Sequence, residues 1–275
     1  MNQIKAVFNG EFNYLENIKI SPFSRAYTFS DSIYEVIPFY KNNIIAFEAH
    51  LNRLQASSDA LNIKIKINKI SLEIQSLISS CDSDSGYVYY QVTRGKDLIR
   101  SHIYLNDLEV ETFGYVTPFT FETKSLKVMV CSDDRWGRCD IKSTSLLSNV
   151  LNMNEAKEKS CDEIIMHRNN ILTEAGASNL FFIKDGQVCT PSLSNNILPG
   201  ITRSILISAL SEAKINVLES NFSLYDLQQA SSAWLTSSTK GIAPIKDILN
   251  VEHTLDHNDN FYLECKKIFD VKFFS

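Results

Sequence analysis

Apolar residues in this chain recur with two different periods, and the period changes several times along its length. That alternation makes the fold class mixed α/β or α+β. The segment YEVIPFY at 34–40 is β-branched and aromatic. Pro38 within it has no N–H to give, which places that strand at a sheet edge or a strand end. Phe47, Leu51, Leu54 and Leu61 then recur at helical spacing, and Ile70, Ile74, Leu77, Ile78 and Cys81 line one face of a second helix. GYVYYQVTRG at 86–95 alternates again, with Val88, Tyr90 and Val92 on one side and Tyr89, Gln91 and Thr93 on the other. That is a strand with one polar-capable face.

Around residues 117–125 the text becomes TPFTFETKS and the period is lost. The domain boundary falls there, giving a small N-terminal α/β domain over 1–118 and a larger C-terminal domain over 119–275. A length of 275 residues fits two domains at roughly 150 residues each. A chain of this size buries about three quarters of its unfolded surface, so it needs no disulfide or metal staple. Beyond the boundary come a strand (KVMVC), a turn (SDDRWGRCD) and a helix traced by Leu146, Leu147, Val150, Leu151 and Ala156. DEIIMHR is a strand, Asn169-Asn170 a turn, and Lys184-Asp185-Gly186 a hairpin turn between NLFFI and QVCTP. Pro199-Gly200 breaks the chain before a helix with Ile201, Ile205, Ala209 and Ala213 on one face.

Composition removes several function classes. Apolar residues at 44% and charged residues at 21% are ordinary globular values, which excludes a disordered tail, a collagen and a coiled coil. The net charge is −5 with no basic stripe, so no nucleic-acid partner is expected. No stretch approaches 18 apolar residues, so no membrane span is expected. The six cysteines form no CxxC pair, and MNQIKAVFNGEFNYLENIKI has no continuous apolar core of a secretory signal. Reduced thiols and a cytoplasmic location follow as expectations. His167, His253 and His257 form no ligand-spaced cluster, so no metal is expected.

Three features of the second half could carry chemistry. Leu198-Pro199-Gly200-Ile201-Thr202-Arg203 is a turn feeding a helix start, where free N–H groups and the helix dipole suit a phosphate. Taken alone it reads as an ordinary helix start. Lys142 sits between an apolar strand and an apolar helix; most lysines are solvated, but a neutral amine can attack a carbonyl. Glu174 precedes the small-residue turn 175–178 and is either a capped loop residue or a partner for a ring nitrogen. Together they match what pyridoxal phosphate needs: an amine for its aldehyde, an acid beside its pyridine nitrogen, and donors for its phosphate.

The strings RCDIKSTSLLSNVLNMNEAKEKSCDEIIMHRNN, ILTEAGASNLFFIKDG, ILPGITR and LTSSTKGIAPI carry a resemblance, as do TFSDSIYEVIPFYKNNIIAFEAHLNRL and YYQVTRG in the first half. The chain resembles the fold-type IV pyridoxal-phosphate enzymes, and among them the D-amino-acid aminotransferases. The resemblance implies a two-domain fold with a β-barrel-like core in the larger domain, a homodimer, and amino-acid and 2-oxo-acid substrates. It implies that Lys142 is the Schiff-base lysine and moves the proton between the substrate α-carbon and the cofactor. Glu174 would pair with the pyridine nitrogen and Leu198 would pack under the ring. Arg53, the backbone at Ile201 and Thr202, and the hydroxyl of Ser238 would hold the phosphate. Tyr34, Arg100 and His102 would trap the substrate carboxylate, with Val36 lining the pocket. If Arg100-Ser101-His102 is extended, both donors point the same way. His50, three residues before Arg53, reads as a supporting hydrogen-bonder.

The chain departs from the family pattern in three places. Ser30 and Ser32 flank Asp31 where the family usually has glycines. Four residues rather than three separate Gly95 from Arg100, and Ala175-Gly176 stands where Gly-Ser is usual. The implied reaction is D-alanine with 2-oxoglutarate giving pyruvate and D-glutamate. The rival readings are a branched-chain L-amino-acid aminotransferase, an aminodeoxychorismate lyase, and a non-catalytic cofactor-binding paralogue.

Overall fold

A computed structural model describes residues 3–274. The chain divides into two compact units. One runs to Thr120 and takes in Ile141–Ser145; the other holds Phe121–Asp140 and the chain from Leu146 onward. Lys142 therefore belongs with the first unit, whereas the sequence reading grouped it with the second.

The first unit is built on a six-stranded sheet. Its strands are β1 (Lys5–Phe8), β2 (Glu11–Tyr14), β3 (Ser32–Tyr40), β4 (Asn43–Ile44), β5 (Gly86–Thr93) and β6 (Glu111–Pro118), in the order β2-β1-β6-β5-β3-β4. All neighbours are antiparallel. Helices α1 (Arg25–Phe29), α2 (Phe47–Ala60) and α3 (Ile67–Ser79) complete it. Alternation sorts the side chains. Ile33, Ile37 and Phe39 of β3 and Val88, Tyr90 and Val92 of β5 pack in one core with Leu51 and Leu54 of α2 and Ile70, Ile74 and Leu77 of α3. Each such side chain contributes about 1.5–3 kcal/mol by leaving water. The opposite face is aromatic: Tyr89 stacks on Tyr34 at 5.5 Å and on Tyr115 at 5.3 Å. Pro38 sits where its missing donor costs little. Its carbonyl accepts from Ile45 N–H at 2.9 Å, so the absent N–H would have faced the two-residue edge strand β4.

The second unit holds an eight-stranded mixed sheet. Its strands are β7 (Leu126–Ser132), β8 (Glu163–Arg168), β9 (Ile171–Ala175), β10 (Asn179–Lys184), β11 (Gln187–Pro191), β12 (Val217–Ser220), β13 (Ser232–Ser237) and β14 (Gly241–Leu249). The order is β12-β11-β10-β13-β14-β7-β8-β9. The sheet curls until its two edges meet: Leu172 N–H of β9 donates to Phe222 O at 2.8 Å, and Ile171 bridges Ser223, both just past β12. This is the barrel-like core, filled by Val128, Ile165, Leu180, Phe182, Leu235 and Ile245 among others. Outside it lie α4 (Leu147–Glu158), α5 (Ile201–Glu212), α6 (Leu224–Gln228) and α7 (Asn260–Phe273). Local chemistry fixes the connections. Asn169 and Asn170 (φ 50° and 65°) and Asp185 and Gly186 (φ 52° and 72°) take the left-handed conformations of tight hairpin turns. Ser223 and Asp226 form a reciprocal cap on α6.

Two helix faces differ from the sequence reading. On α4, Leu147, Val150 and Leu151 are exposed at 72%, 51% and 63%, while Asn149 and Ala156 are buried. On α5, Thr202, Leu206, Ala209 and Leu210 turn inward and Ala213 is exposed. Periodicity locates a helix, but the polar Asn149 can be buried because its amide donates to Gly176 O at 2.8 Å.

Candidate active site

Lys142 lies on a short segment laid along β3. Tyr34 N–H donates to Lys142 O at 3.0 Å, Thr144 N–H to Ser32 O at 3.0 Å, and Lys142 N–H to Ser57 Oγ at 3.2 Å. Its Nζ stands 4.2 Å from the ring centroid of Tyr34, a cation–π distance. Tyr34 and Val36 share the face of β3 that bears the aromatic cluster.

The intervening residue, Glu35, points the other way, into α2. Its carboxylate is fully buried and takes Arg53 bidentately, Nε at 2.8 Å and Nη2 at 2.7 Å, with His50 Nδ1 at 2.7 Å. Burial alone would raise the Glu35 pKa, but Arg53 and His50 bring it down to about 2. Burial also lowers the pKa of His50. Its Nε2 is buried with no partner among the described residues. Such an atom normally finds one.

Arg100 and His102 lie exposed on the irregular segment before β6. Both rest on Phe29, the Arg100 guanidinium 4.7 Å above its ring and the His102 ring 5.3 Å away. The segment is tied down from below. Arg25 donates to Ser101 O at 2.7 Å and lies 3.5 Å from Asp97, and Arg25 and Arg94 share Asp31 Oδ2 at 2.9 and 2.7 Å. Ser30 takes the left-handed conformation (φ 52°) for which glycine is the permissive residue. Ser32 is buried, and its hydroxyl contacts Thr144 Oγ1 at 2.6 Å.

In the second unit, Glu174 is the penultimate residue of β9 and its carboxylate is buried. Oε1 takes Arg135 Nη1, and Oε2 takes both Asn179 Nδ2 and Leu198 N–H at 3.1 Å. Burial pushes its pKa up to about 7, against the pull of Arg135. Arg135 is itself shared with Asp133, Nε to Oδ1 and Nη2 to Oδ2 both at 2.8 Å. Asp133 would be raised by burial, but its bonds from Arg135 hold it at about 2. Asn179 also donates to Leu198 O at 3.0 Å, so one amide fixes Glu174 and the Leu198 turn together. A Cβ on Gly200 would stand 1.9 Å from Asn179 Oδ1, which is why that helix cap is glycine. Thr202 is buried in the first turn of α5, Ile201 is half-buried beside it, and Ser238 is half-buried in the turn after β13.

The amino-transferase class IV family profile matches residues 32–248. The chain belongs to this family. A D-alanine aminotransferase of Listeria monocytogenes serotype 4b (strain F2365) is 33% identical over 259 residues, spanning 90% of this chain and 89% of its own. The branched-chain amino acid aminotransferase of Escherichia coli superposes with a TM-score of 0.91 at 21% identity, covering 99% of this chain and 95% of that one. The pyridoxal-phosphate form of the Thermobaculum terrenum branched-chain enzyme gives 0.86 at 20% identity, over 99% and 94% of the two chains. Class IV aminotransferases are pyridoxal-phosphate enzymes, and the residues here fit that group. Glu174 presents a buried carboxyl group whose pKa stands high despite Arg135, and His50, which shares Glu35 with Arg53, keeps a buried Nε2 with no partner among the described residues.

Lys142, Tyr34, Val36, Arg53, Arg100 and His102 fall in the first unit, and Glu174, Leu198, Ile201, Thr202 and Ser238 in the second. Sequence reasoning missed Glu35, Arg135, Asp133 and Asn179. Glu35 was detectable, being a charge on the apolar face of an alternating strand. Asp133 and Arg135 lie in an aperiodic turn and gave no signal.

Proposed function

We propose that this aminotransferase exchanges the amino group of D-amino acids with 2-oxo acids, converting D-alanine and 2-oxoglutarate to pyruvate and D-glutamate. The observation that carries this reading is the 33% identity to a D-alanine aminotransferase over nine tenths of both chains. The branched-chain structures, at 20–21% identity, share the fold and do not choose the substrate.

Bound pyridoxal phosphate supplies an aldehyde for an amine and a ring that accepts the electrons of a carbanion. Lys142 would provide the amine for that aldehyde and would hold the proton that moves at the substrate α-carbon. Its place over Tyr34 supports this, because packing on the ring fixes the direction of the ammonium. Glu174 would keep a proton on the ring nitrogen of the bound group. Leu198 would pack under the ring. Arg53, held square by Glu35, would take the phosphate with the backbone at Ile201 and Thr202 and the hydroxyl of Ser238. Tyr34, Arg100 and His102 grip the substrate carboxylate, and Val36 lines the pocket. The shared rest of Arg100 and His102 on Phe29 supports their acting together.

The enzyme acts in the cytoplasm as a homodimer in this reading. Six free thiols support the first. The second is supported by the large apolar side chains left exposed, Leu147, Val150 and Leu151 on one helix and Leu98, Ile99 and Ile103 on one loop. No helix of the described residues is long and apolar enough to cross a membrane.

The test pairs chemistry with mapping. The purified protein with added pyridoxal phosphate is reduced by borohydride and digested, and the label is expected on Lys142. A label on another lysine, or no uptake, refutes the assignment. Incubation with D-alanine, L-leucine or aminodeoxychorismate, each followed for pyruvate or glutamate, is expected to favour D-alanine. Preference for L-leucine, or pyruvate release from aminodeoxychorismate without an amino acceptor, would move the chain to one of the other two activities.

A further inference from the structure

Lys240, Glu163 and Ser178 have no part in the roles assigned above, yet they tie together the segments that do. Lys240 closes the turn between β13 and β14, two residues beyond Ser238, and its N–H donates to Ser237 Oγ at 3.2 Å. Its Nζ reaches Glu163 Oε2 at 2.6 Å and Ser178 Oγ at 3.3 Å. Glu163 begins β8 and is fully buried. Its other oxygen, Oε1, lies under Gly176, where a Cβ would stand 2.6 Å from it. Asn149 of α4 holds the same loop by donating to Gly176 O at 2.8 Å. That loop, 176–178, joins Glu174 to Asn179, the amide that fixes Glu174 and the Leu198 turn.

A fully buried carboxylate is costly unless a cation answers it, so Glu163 and Lys240 hold each other in place. Because Lys240 also bonds Ser178, the ion pair spans three segments: the start of β8, the loop after Glu174, and the turn bearing Ser238. We infer that the Lys240–Glu163–Ser178 cluster is a positioning strut that sets the ring-nitrogen side and the phosphate side of the cofactor site together. Lys240 and Glu163 are positioning residues and need no contact with the cofactor themselves. The inference rests on the cofactor reading above, since it names Glu174 and Ser238 as the groups being placed.

The test measures cofactor affinity rather than turnover. Cofactor-free wild type, Lys240→Met and Glu163→Gln are titrated with pyridoxal phosphate and followed by absorbance, and their melting temperatures are recorded. Lys240→Met is expected to raise Kd by about tenfold or more, comparable to losing one charged hydrogen bond. Glu163→Gln keeps the hydrogen-bonding shape and is expected to raise Kd less. Activity of Lys240→Met should return when the cofactor is supplied in excess. A double variant, Lys240→Met with Glu163→Met, removes both charges, leaves no orphan carboxylate, and is expected to show the same weakened Kd if the single variant does not fold. A Kd equal to wild type in Lys240→Met or in the double variant overturns the inference, and a fall in melting temperature with Kd unchanged reduces the cluster to an ordinary ion pair. Wild type that takes up no pyridoxal phosphate overturns the cofactor reading instead, which is a separate result.

Discussion

Substituting Glu174 by Gln should make the empty protein more stable and the working enzyme slower. The carboxylate is buried, and burial lifts its pKa from 4.5 to about 7 despite Arg135. A carboxyl group whose folded pKa exceeds its unfolded one costs nothing at low pH, where both states are protonated. The cost grows as pH rises from 4.5 and is complete above the folded value. The shift from 4.5 to about 7 corresponds to about 3 kcal/mol. Gln carries no charge and Arg135 keeps Asp133 as its partner, but the Gln NH2 must face a donor, either Arg135 or Asn179 with Leu198 N–H, so the gain falls short of the full shift. At pH 8 the cofactor-free Glu174→Gln protein should therefore exceed wild type in stability by less than about 3 kcal/mol. Near pH 4.5 that gain should be gone. With the cofactor bound the sign reverses in function. Gln cannot hold a proton on the ring nitrogen as a carboxylate does, and proton transfer should slow by about 10²–10⁴-fold with the cofactor still bound. Urea unfolding of cofactor-free protein at the two pH values gives the first quantity, and single-turnover spectroscopy gives the second. A Glu174→Gln protein less stable than wild type at pH 8 would refute the burial argument. Unchanged turnover would remove Glu174 from the site.

Two further outcomes follow from the first unit. If Arg100 grips the substrate carboxylate, Arg100→Ala should lower kcat/KM for D-alanine by roughly 10–100-fold, from about 1.5–3 kcal/mol, and affect L-donors much less; an unchanged D/L ratio would take Arg100 and His102 out of the site. The Glu35 pKa, held at about 2 in the folded chain against 4.5, gives stability of about 3 kcal/mol that is present above pH 4.5 and lost as pH falls toward 2, so acid unfolding of Glu35→Gln should be flatter than that of wild type over that window. Equal slopes would show that Glu35 is not the buried charge that holds Arg53.

The sequence by itself determined the element types, the turns and the chemical inventory. Strand and helix periods follow from local geometry, and Asn169-Asn170 or Asp185-Gly186 make turns because few other residues tolerate positive φ. Lys142 and Glu174 drew notice because one cofactor requires an amine and an acid, and Arg53 because the string around it resembles one family. What each group touches was decided by tertiary structure. The polar network Asp133–Arg135–Glu174–Asn179 joins four positions spread over 47 residues, and nothing in local spacing announces that they converge. The clamp of Glu35 on Arg53 exists only because β3 lies against α2. The outward turn of Leu147, Val150 and Leu151 on α4 is of the same kind. Their period names a helix face, but which face is buried depends on what packs against it, and here the loop at Gly176 takes Asn149. The assignment of Ile141–Ser145 to the first unit is likewise a matter of pairing. Backbone hydrogen bonds from Tyr34 and Thr144 bind that segment to β3, and a hydrogen-bond partner over a hundred residues away leaves no mark on the local sequence.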